Sequence, residues 1–172
     1  MVGGLIALAS TWSQRKGLND YIKLSSLLPN ECRIILIGLS AEQIKQVSEQ
    51  SNIMGLSRTN NLDELLFYYS IANVVLNLSY EETFGLTTVK GMACGTPSVL
   101  YNITASPELI DETTGIVVEL GDVERAKLAV EDVLKNGKSY YYEACRERAK
   151  RMFGATGRYQ EYLKLYSNLI VE

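Results

Sequence analysis

The chain has 172 residues, of which 47% are hydrophobic and 22% charged, with a formal net charge of −3 and an isoelectric point of about 5.2. This length and composition predict one globular domain with a sizeable core, and the acidic balance argues against nucleic acid or an anionic membrane surface as the main partner. The sequence contains no histidine, which excludes any mechanism that needs a histidine base, nucleophile or metal ligand from this chain.

Cysteine usage and the N-terminal segment indicate the compartment. Cys32, Cys94 and Cys145 are widely spaced and show no zinc-binding spacing, which favours reduced thiols. Residues 1–10 lack the basic segment and the apolar length of a signal peptide, and no run of the sequence approaches the length of a membrane span. We therefore expect a cytoplasmic location and no transmembrane segment.

Short, β-branched apolar runs alternate along the chain with helical patterns. In chain order, the pattern predicts strands at 5–10, 33–39, 52–56, 73–79, 97–101 and 115–120, and helices at 17–28, 41–50, 62–72, 85–94, 122–135, 139–153 and 159–171. Near-continuous apolar strands are typical of parallel sheets that are covered on both faces. The sequence thus predicts one α/β domain over 1–172 with a doubly wound parallel sheet.

Ligands of such open sheets bind beyond the carboxyl ends of the strands, where the strand order reverses. With the order 3-2-1-4-5-6, that point lies between strands 1 and 4, and the loops there are 11–16 and 80–84. These two loops are the most polar in the chain and carry charges. Topology and composition therefore point independently to the same place.

The second loop leads into a helix through the sequence Phe84-Gly85-Leu86-Thr87-Thr88. The first N–H groups of a helix have no partner within it, and the helix dipole adds to their attraction for an anion such as a diphosphate. Lys16 supplies a positive charge from the first loop, and Arg15 can do the same. The alternative is that the threonines are only first-turn residues and that Lys16 has no ligand.

Other phosphate-binding and hydrolytic motifs are absent from the sequence. The stretch after the first strand has no G-x-G-x-x-G, and the chain has neither a P-loop nor a G-x-S-x-G elbow. A dinucleotide site, a P-loop site and a serine hydrolase triad are therefore not expected.

The stretch "YEETFGLTTVKGMACGTPSVL" at 80–100 resembles the signature of the group 1 glycosyltransferases, specifically the fourth family, which are retaining enzymes with two Rossmann-like domains (the GT-B fold). The matching positions are Glu82, Phe84, Gly85, Leu86, Met92, Ala93, Cys94, Gly95, Thr96 and Pro97. "STWSQRKGLNDYIKL" at 10–24 is similar to the family's phosphate loop, and "SPELIDETTGIVVELGD" at 106–122 to a later segment of its C-terminal domain. The resemblance covers about residues 5–134.

The resemblance implies a site for a nucleotide-activated sugar. The diphosphate would be held by Lys16, with Arg15 beside it, and by the helix start at Phe84, Gly85, Leu86, Thr87 and Thr88. Glu82 would face the donor sugar as the catalytic residue, and Arg58 and Thr59 would lie near the base. Enzymes of this kind normally need no metal or other cofactor, in agreement with the lack of an Asp-x-Asp pair here.

The sequence also departs from the family pattern. Lys90 stands where the family usually has a second glutamate that accepts hydrogen bonds from the ribose. A lysine has no acceptor, so Lys90 is a variant that weakens binding, a group that reaches a phosphate or an acid, or a solvated surface residue. The usual first-loop arginine corresponds to Thr11, for which Arg15 can compensate, and a usual glycine pair is absent near Thr104 and Ala105.

The resemblance further implies an N-terminal, acceptor-binding domain that this chain lacks, so we expect donor binding but no turnover by this chain alone. The full enzyme would transfer a hexose to a glycan or a lipid-linked acceptor, with peripheral membrane association as one arrangement. Tyr159, Tyr162 and Tyr166 in the last helix (155–172) would contact the missing domain or pack on this one. The alternative function is a non-catalytic or degenerate module that binds sugar nucleotides.

Overall fold

Six parallel strands in the order β3-β2-β1-β4-β5-β6 form the centre of the structure. It is a computed structural model that describes residues 3–9 and 11–170. The strands are β1 Gly3–Leu8, β2 Cys32–Ile37, β3 Ile53–Leu56, β4 Val74–Asn77, β5 Ser98–Tyr101 and β6 Gly115–Val118. The predicted strand order is confirmed, and with it the doubly wound, Rossmann-like α/β fold.

Helices cover the sheet on both faces. They are α1 Leu18–Leu27, α2 Ala41–Val47, α3 Leu62–Ile71, α4 Leu86–Ala93, α5 Ser106–Leu109, α6 Val123–Asn136, α7 Lys138–Phe153 and α8 Ala155–Ile170, with a 3₁₀ turn at Gln14–Lys16. Several begin at a side-chain cap: Ser40 forms a capping box with Gln43, and Asn61 accepts a hydrogen bond from the N–H of Glu64. Such caps fix where each helix starts after its strand.

The core lies on both faces of the sheet. Every residue of β4 and β5 is buried, as expected for strands covered on both faces. One cluster packs α1, α6 and α7 on the sheet, and a smaller cluster around Ile6, Tyr69 and Val75 lies under α3. The sheet is therefore a rigid base for the loops at its carboxyl edge.

Several predicted boundaries were wrong. The first strand begins at Gly3, two residues earlier than predicted, and its predicted end, Ser10, lies outside the described residues, as does Val171 of the last helix. The second helix ends at Val47 and not at residue 50. The short α5, which has Pro107 in its first turn, was not predicted.

The C-terminal helix differs most from expectation. It begins at Ala155, so Gly157 lies inside it and Gly154 alone marks the break from α7. No residue of α8 is buried, and Tyr159, Tyr162 and Tyr166 are 69%, 58% and 58% exposed. Packing of these tyrosines on this domain, one of the two alternatives above, is therefore wrong.

Candidate functional site

The two polar loops meet at the carboxyl edge of β1 and β4. The backbone N–H of Tyr80 donates a hydrogen bond of 2.7 Å to the carbonyl of Arg15. Two ion pairs join the same loops: Lys16 Nζ lies 2.8 Å from Glu82 Oε2, and Arg15 Nη1 lies 3.4 Å from Glu81 Oε2. The first pair is largely buried, with side chains 28% and 12% exposed, whereas the second is 69% and 65% exposed.

Gly17 allows the first loop to approach the end of β4. Its φ of 68° lies in the left-handed region, and a Cβ on this residue would collide with the carbonyl oxygen of Leu78. Glycine adopts this conformation without a steric penalty. The preceding residue, Lys16, is thereby held against the second loop.

The carboxylate of Asp20 holds Tyr80 in place. Asp20 Oδ2 accepts hydrogen bonds from the hydroxyls of Tyr80 (2.9 Å) and Tyr101 (2.6 Å), and the two rings pack edge to face. Burial, and then the hydrogen bond to Asp20, raise the pKa of Tyr101 far above its ordinary value. The hydroxyl of Tyr101 therefore stays protonated and donates to Asp20. The hydrogen bond from Tyr80 to the same carboxylate anchors the loop that carries Glu82 before any ligand arrives.

The N-terminus of α4 faces the same region. Gly85 precedes the helix with a φ of 89°, and no side chain caps the helix. The first N–H groups, near Leu86 and Thr87, therefore lack the side-chain acceptor that a capped helix provides. Together with the helix dipole, they form an environment that attracts an anion.

A cavity of about 450 Å³ lies between these elements. Its volume falls in the range typical of small-molecule sites. The lining residues are Leu8, Ala9, Lys16, Ile37, Gly38, Arg58, Thr59, Leu65, Tyr69, Glu82, Thr83, Phe84, Gly85, Leu86, Thr87 and Lys90. The lining thus combines charged side chains with apolar ones, as a ligand with an anionic and an aromatic part requires.

Most of the residues predicted from the sequence lie around this one cavity. They are Lys16, Arg58, Thr59, Glu82, Phe84, Gly85, Leu86, Thr87 and Lys90. They come from three separate stretches of the chain and meet because the strand order brings the loops after β1, β3 and β4 to one edge. Their role in binding a donor stays a prediction.

The structure does not bring two of the predicted residues into the cavity. Thr88 is wholly buried, and its hydroxyl accepts a hydrogen bond of 3.3 Å from Asn77 Nδ2. Its side chain fastens α4 to the end of β4 and cannot donate to a ligand from there. Arg15 points away from the cavity, lines a neighbouring depression and pairs with Glu81.

Sequence reasoning missed the apolar wall of the cavity. Leu65 and Tyr69, one helical turn apart on α3, contribute to it together with Ile37 and Gly38 at the end of β2. The spacing of Leu65 and Tyr69 places them on one helix face, which was a usable signal. The same i, i+4 spacing is equally typical of residues that pack in a core.

Neither a membrane-spanning helix nor a metal-binding cluster is present in the described part of the chain. Among residues 3–9 and 11–170, no helix is both long and apolar enough to cross a bilayer. The same residues contain no group of three or more cysteine, aspartate, glutamate or histidine side chains placed to hold a metal ion.

Solved structures share this architecture. Sucrose-phosphate synthase from Thermosynechococcus elongatus superposes with a TM-score of 0.84 at 24% identity, over 98% of this chain and 46% of that one. HepE of Anabaena, solved in complex with UDP, gives a TM-score of 0.76 at 20% identity, over 95% and 48%. At these identities the likeness establishes the fold alone, and the chain covers less than half of each of these two structures.

Sequence comparison identifies the family. The chain is 24% identical to N-acetyl-alpha-D-glucosaminyl L-malate synthase of Bacillus anthracis, over 94% of this chain and 44% of that protein. It is 28% identical to O-antigen chain mannosyltransferase B of Escherichia coli, over 70% of this chain and 34% of that protein. The chain therefore spans less than half the length of these relatives. Residues 5–152 match the family model described as "Glycosyl transferases group 1", and the chain belongs to that family.

Proposed function

We propose that this chain is the donor-binding domain of a glycosyltransferase that moves a hexose from a nucleoside diphosphate sugar to a glycan or a lipid-linked acceptor, with retention of anomeric configuration. The observation that carries the proposal is the convergence of Lys16, Glu82 and the uncapped start of α4 on one cavity. Family membership and the UDP complex of a protein with the same fold support it.

In this proposal, the diphosphate lies against the N-terminus of α4. The backbone N–H groups near Leu86 and Thr87, the Thr87 hydroxyl and the Lys16 ammonium donate hydrogen bonds to its oxygens. Phe84 and Gly85 shape the turn that lets the backbone approach. Negative charge that develops on the leaving diphosphate is then stabilised by fixed donors and a cation, and we expect no requirement for a metal.

The remaining parts of the donor occupy the two ends of the cavity. Glu82 accepts hydrogen bonds from the hydroxyls of the sugar, and it is held in position by Lys16 at 2.8 Å. The base lies toward Arg58 and Thr59, against the apolar side chains of Leu65 and Tyr69. Aromatic and aliphatic groups suit the faces of a planar base.

The acceptor site is assigned to a second domain outside this chain. This chain covers 34% to 44% of the length of two curated relatives and 46% to 48% of two structural neighbours. The remainder of each of those proteins is long enough for one more domain of at least similar size. We therefore expect the isolated chain to bind the donor and to catalyse no transfer.

Calorimetric titration of the chain with UDP, GDP and ADP tests donor binding. Binding of one of them in the micromolar range, about −8 kcal/mol, is the expected result, and the corresponding nucleotide sugar should compete for the same site. Failure of all three to bind would contradict the proposal and would favour a degenerate module that has kept only the fold.

Transfer itself is tested on a protein in which a second domain accompanies this chain. The anomeric configuration of the product, read by proton NMR, should equal that of the donor. Product of inverted configuration would contradict retention while leaving the donor site intact.

A further inference from the structure

Lys90 lies in the second turn of α4 and lines the candidate cavity. Within residues 3–9 and 11–170, no side chain or carbonyl forms a hydrogen bond or an ion pair with its ammonium group. The cavity is also lined by Lys16 and Glu82, whose opposite charges already pair with each other. The Lys90 ammonium is thus a positive charge without a counter-charge at a ligand cavity.

The charges at the α4 end of the cavity are unbalanced. Lys16 and Lys90 are cationic, and Glu82 is the one lining carboxylate in the part of the chain that the structure describes. Since Glu82 pairs with Lys16, no carboxylate of the described residues pairs with Lys90. A cavity of this kind binds polyanions better than neutral ligands.

Lys90 is also placed to reach an anion at the start of its own helix. It is three residues after Thr87 and four after Leu86, so the three side chains share one face of α4. The four-residue step from Leu86 to Lys90 corresponds to about 6 Å along the helix axis. Helical side chains lean toward the N-terminus, and an extended lysine spans that distance.

An ammonium group donates hydrogen bonds and accepts none. Lys90 is therefore suited to phosphate oxygens and unsuited to accepting from the hydroxyls of a ribose. A neighbouring acid was the other partner considered from the sequence, but no carboxylate among residues 3–9 and 11–170 forms an ion pair with Lys90.

We propose that Lys90 is a second phosphate-binding side chain of the donor site, so that this site selects its ligand by the charge of the diphosphate more than by the ribose hydroxyls. The proposal rests on the proposed function, because it assigns Lys90 to the same nucleotide. According to this proposal, Lys90 makes the site prefer diphosphates to monophosphates. The site should also accept a deoxyribose in place of a ribose.

The experiment compares the wild-type chain with Lys90→Met and Lys90→Glu by calorimetric titration with UDP, UMP and 2′-deoxy-UDP. If GDP or ADP is the tighter ligand, the matching series replaces these. Lys23→Met is the matched control, because Lys23 is an exposed lysine of α1 that does not line the cavity. All four proteins should have the same circular dichroism spectrum, since Lys90 and Lys23 are exposed.

Loss of one charge-assisted hydrogen bond should weaken UDP binding about tenfold in Lys90→Met, and more in Lys90→Glu. The affinity ratio of UDP to UMP should fall in both variants, and wild-type protein should bind UDP and 2′-deoxy-UDP within about threefold, because one lost neutral hydrogen bond has a small net effect. Lys23→Met should match the wild type.

Two outcomes would overturn this proposal without contradicting the proposed function. Unchanged UDP affinity in Lys90→Met would identify Lys90 as a solvated surface residue, and tighter binding by Lys90→Glu would identify it as a defect in a ribose site. In both cases the wild-type chain binds UDP and the proposed function stands. If the wild-type chain binds none of the nucleotides, the proposed function and this inference fail together.

Discussion

The ammonium of Lys16 and the carboxylate of Glu82 form an ion pair of 2.8 Å that joins the loops after β1 and β4. A diphosphate held by Lys16 has to share that ammonium with Glu82. The two residues proposed to bind the diphosphate and the sugar, which are neighbouring parts of the donor, are therefore coupled before the donor arrives. The pair keeps both side chains at the cavity in the absence of ligand, and it also competes with the diphosphate.

This coupling predicts the behaviour of Glu82→Gln. The neutral amide releases Lys16 and removes a negative charge from the cavity, so UDP should bind about threefold to tenfold more tightly, a gain of about 1 kcal/mol. Transfer by a protein that contains both domains should fall by about a hundredfold, because the donor sugar is no longer held in its reactive position by the carboxylate. Calorimetry and a transfer assay measure the two effects separately.

Glu81→Gln is the matched control for that variant. Glu81 pairs with Arg15 between the same two loops but is exposed and outside the cavity, so both affinity and transfer should stay within about twofold of wild type, as for other exposed pairs. Weaker UDP binding in Glu82→Gln would contradict the competition between Glu82 and the diphosphate for Lys16.

Gly85→Ala should damage both stability and the site. The φ of 89° disfavours any other residue, and a Cβ would lie 2.5 Å from Leu109 Cδ1. Backbone strain and this collision together should lower the free energy of unfolding by about 2–4 kcal/mol, measured by urea denaturation. UDP affinity should also fall, because the start of α4 shifts.

Gly121→Ala separates the two causes. Gly121 has a similar φ of 77°, but nothing lies within 4 Å of its added Cβ. Its substitution should therefore cost only the strain, about 1–2 kcal/mol, and leave UDP affinity unchanged. Equal destabilisation by the two variants would rule out the contact with Leu109 as a cause.

Arg148 on α7 should stabilise the segment around α5. Its guanidinium donates to the carbonyls of Glu108 and Leu109 and to Asp111 Oδ2 at 2.6 Å. Arg148→Met breaks these bonds and should lower the free energy of unfolding by about 2–3 kcal/mol, the range for hydrogen bonds to charged groups. Arg146→Met, at a second arginine of α7, removes one hydrogen bond to the carbonyl of Ala93 in α4 and a cation–π contact with Tyr142, and it should cost less than Arg148→Met.

The contribution of Asp111 should depend on pH. Burial raises the pKa of Asp111, but hydrogen bonds from Thr113 and Thr114 and the charge of Arg148 outweigh burial and lower it below its ordinary value. A carboxyl with a lowered pKa in the folded state stabilises at neutral pH, and this stabilisation is lost as the pH falls through about 4 and below. The difference in stability between wild type and Arg148→Met should therefore shrink in acid, and a constant difference between pH 7 and pH 3 would contradict this origin.

The strand order and the position of the candidate cavity were predictable from the sequence. Strands such as Val74–Asn77 are buried on both faces, and this appears in the sequence as unbroken apolar runs. The reversal of strand order then determines which loops meet, and those loops carry Lys16 and Glu82. These inferences depend on periodicity and topology, which a sequence expresses directly.

The direction of individual side chains was less predictable. Thr87 and Thr88 are adjacent and chemically alike, yet one lines the cavity and the other is buried against Asn77. Arg15 and Lys16 differ in the same way: both lie in the 3₁₀ turn, but Lys16 lines the cavity and pairs with Glu82, whereas Arg15 pairs with the exposed Glu81. The four-residue α5 is too short for a periodic signal.

The central claim is that Lys16 and the start of α4 hold a nucleoside diphosphate, and calorimetric titration of UDP into Lys16→Met and Arg15→Met tests it most directly. Each variant removes one positive charge from the same loop, but only Lys16 lines the cavity. Lys16→Met should weaken UDP binding about tenfold or more, while Arg15→Met should bind like the wild type. Equal affinity in the two variants would contradict the account, because the loop would then act by its overall charge or not at all.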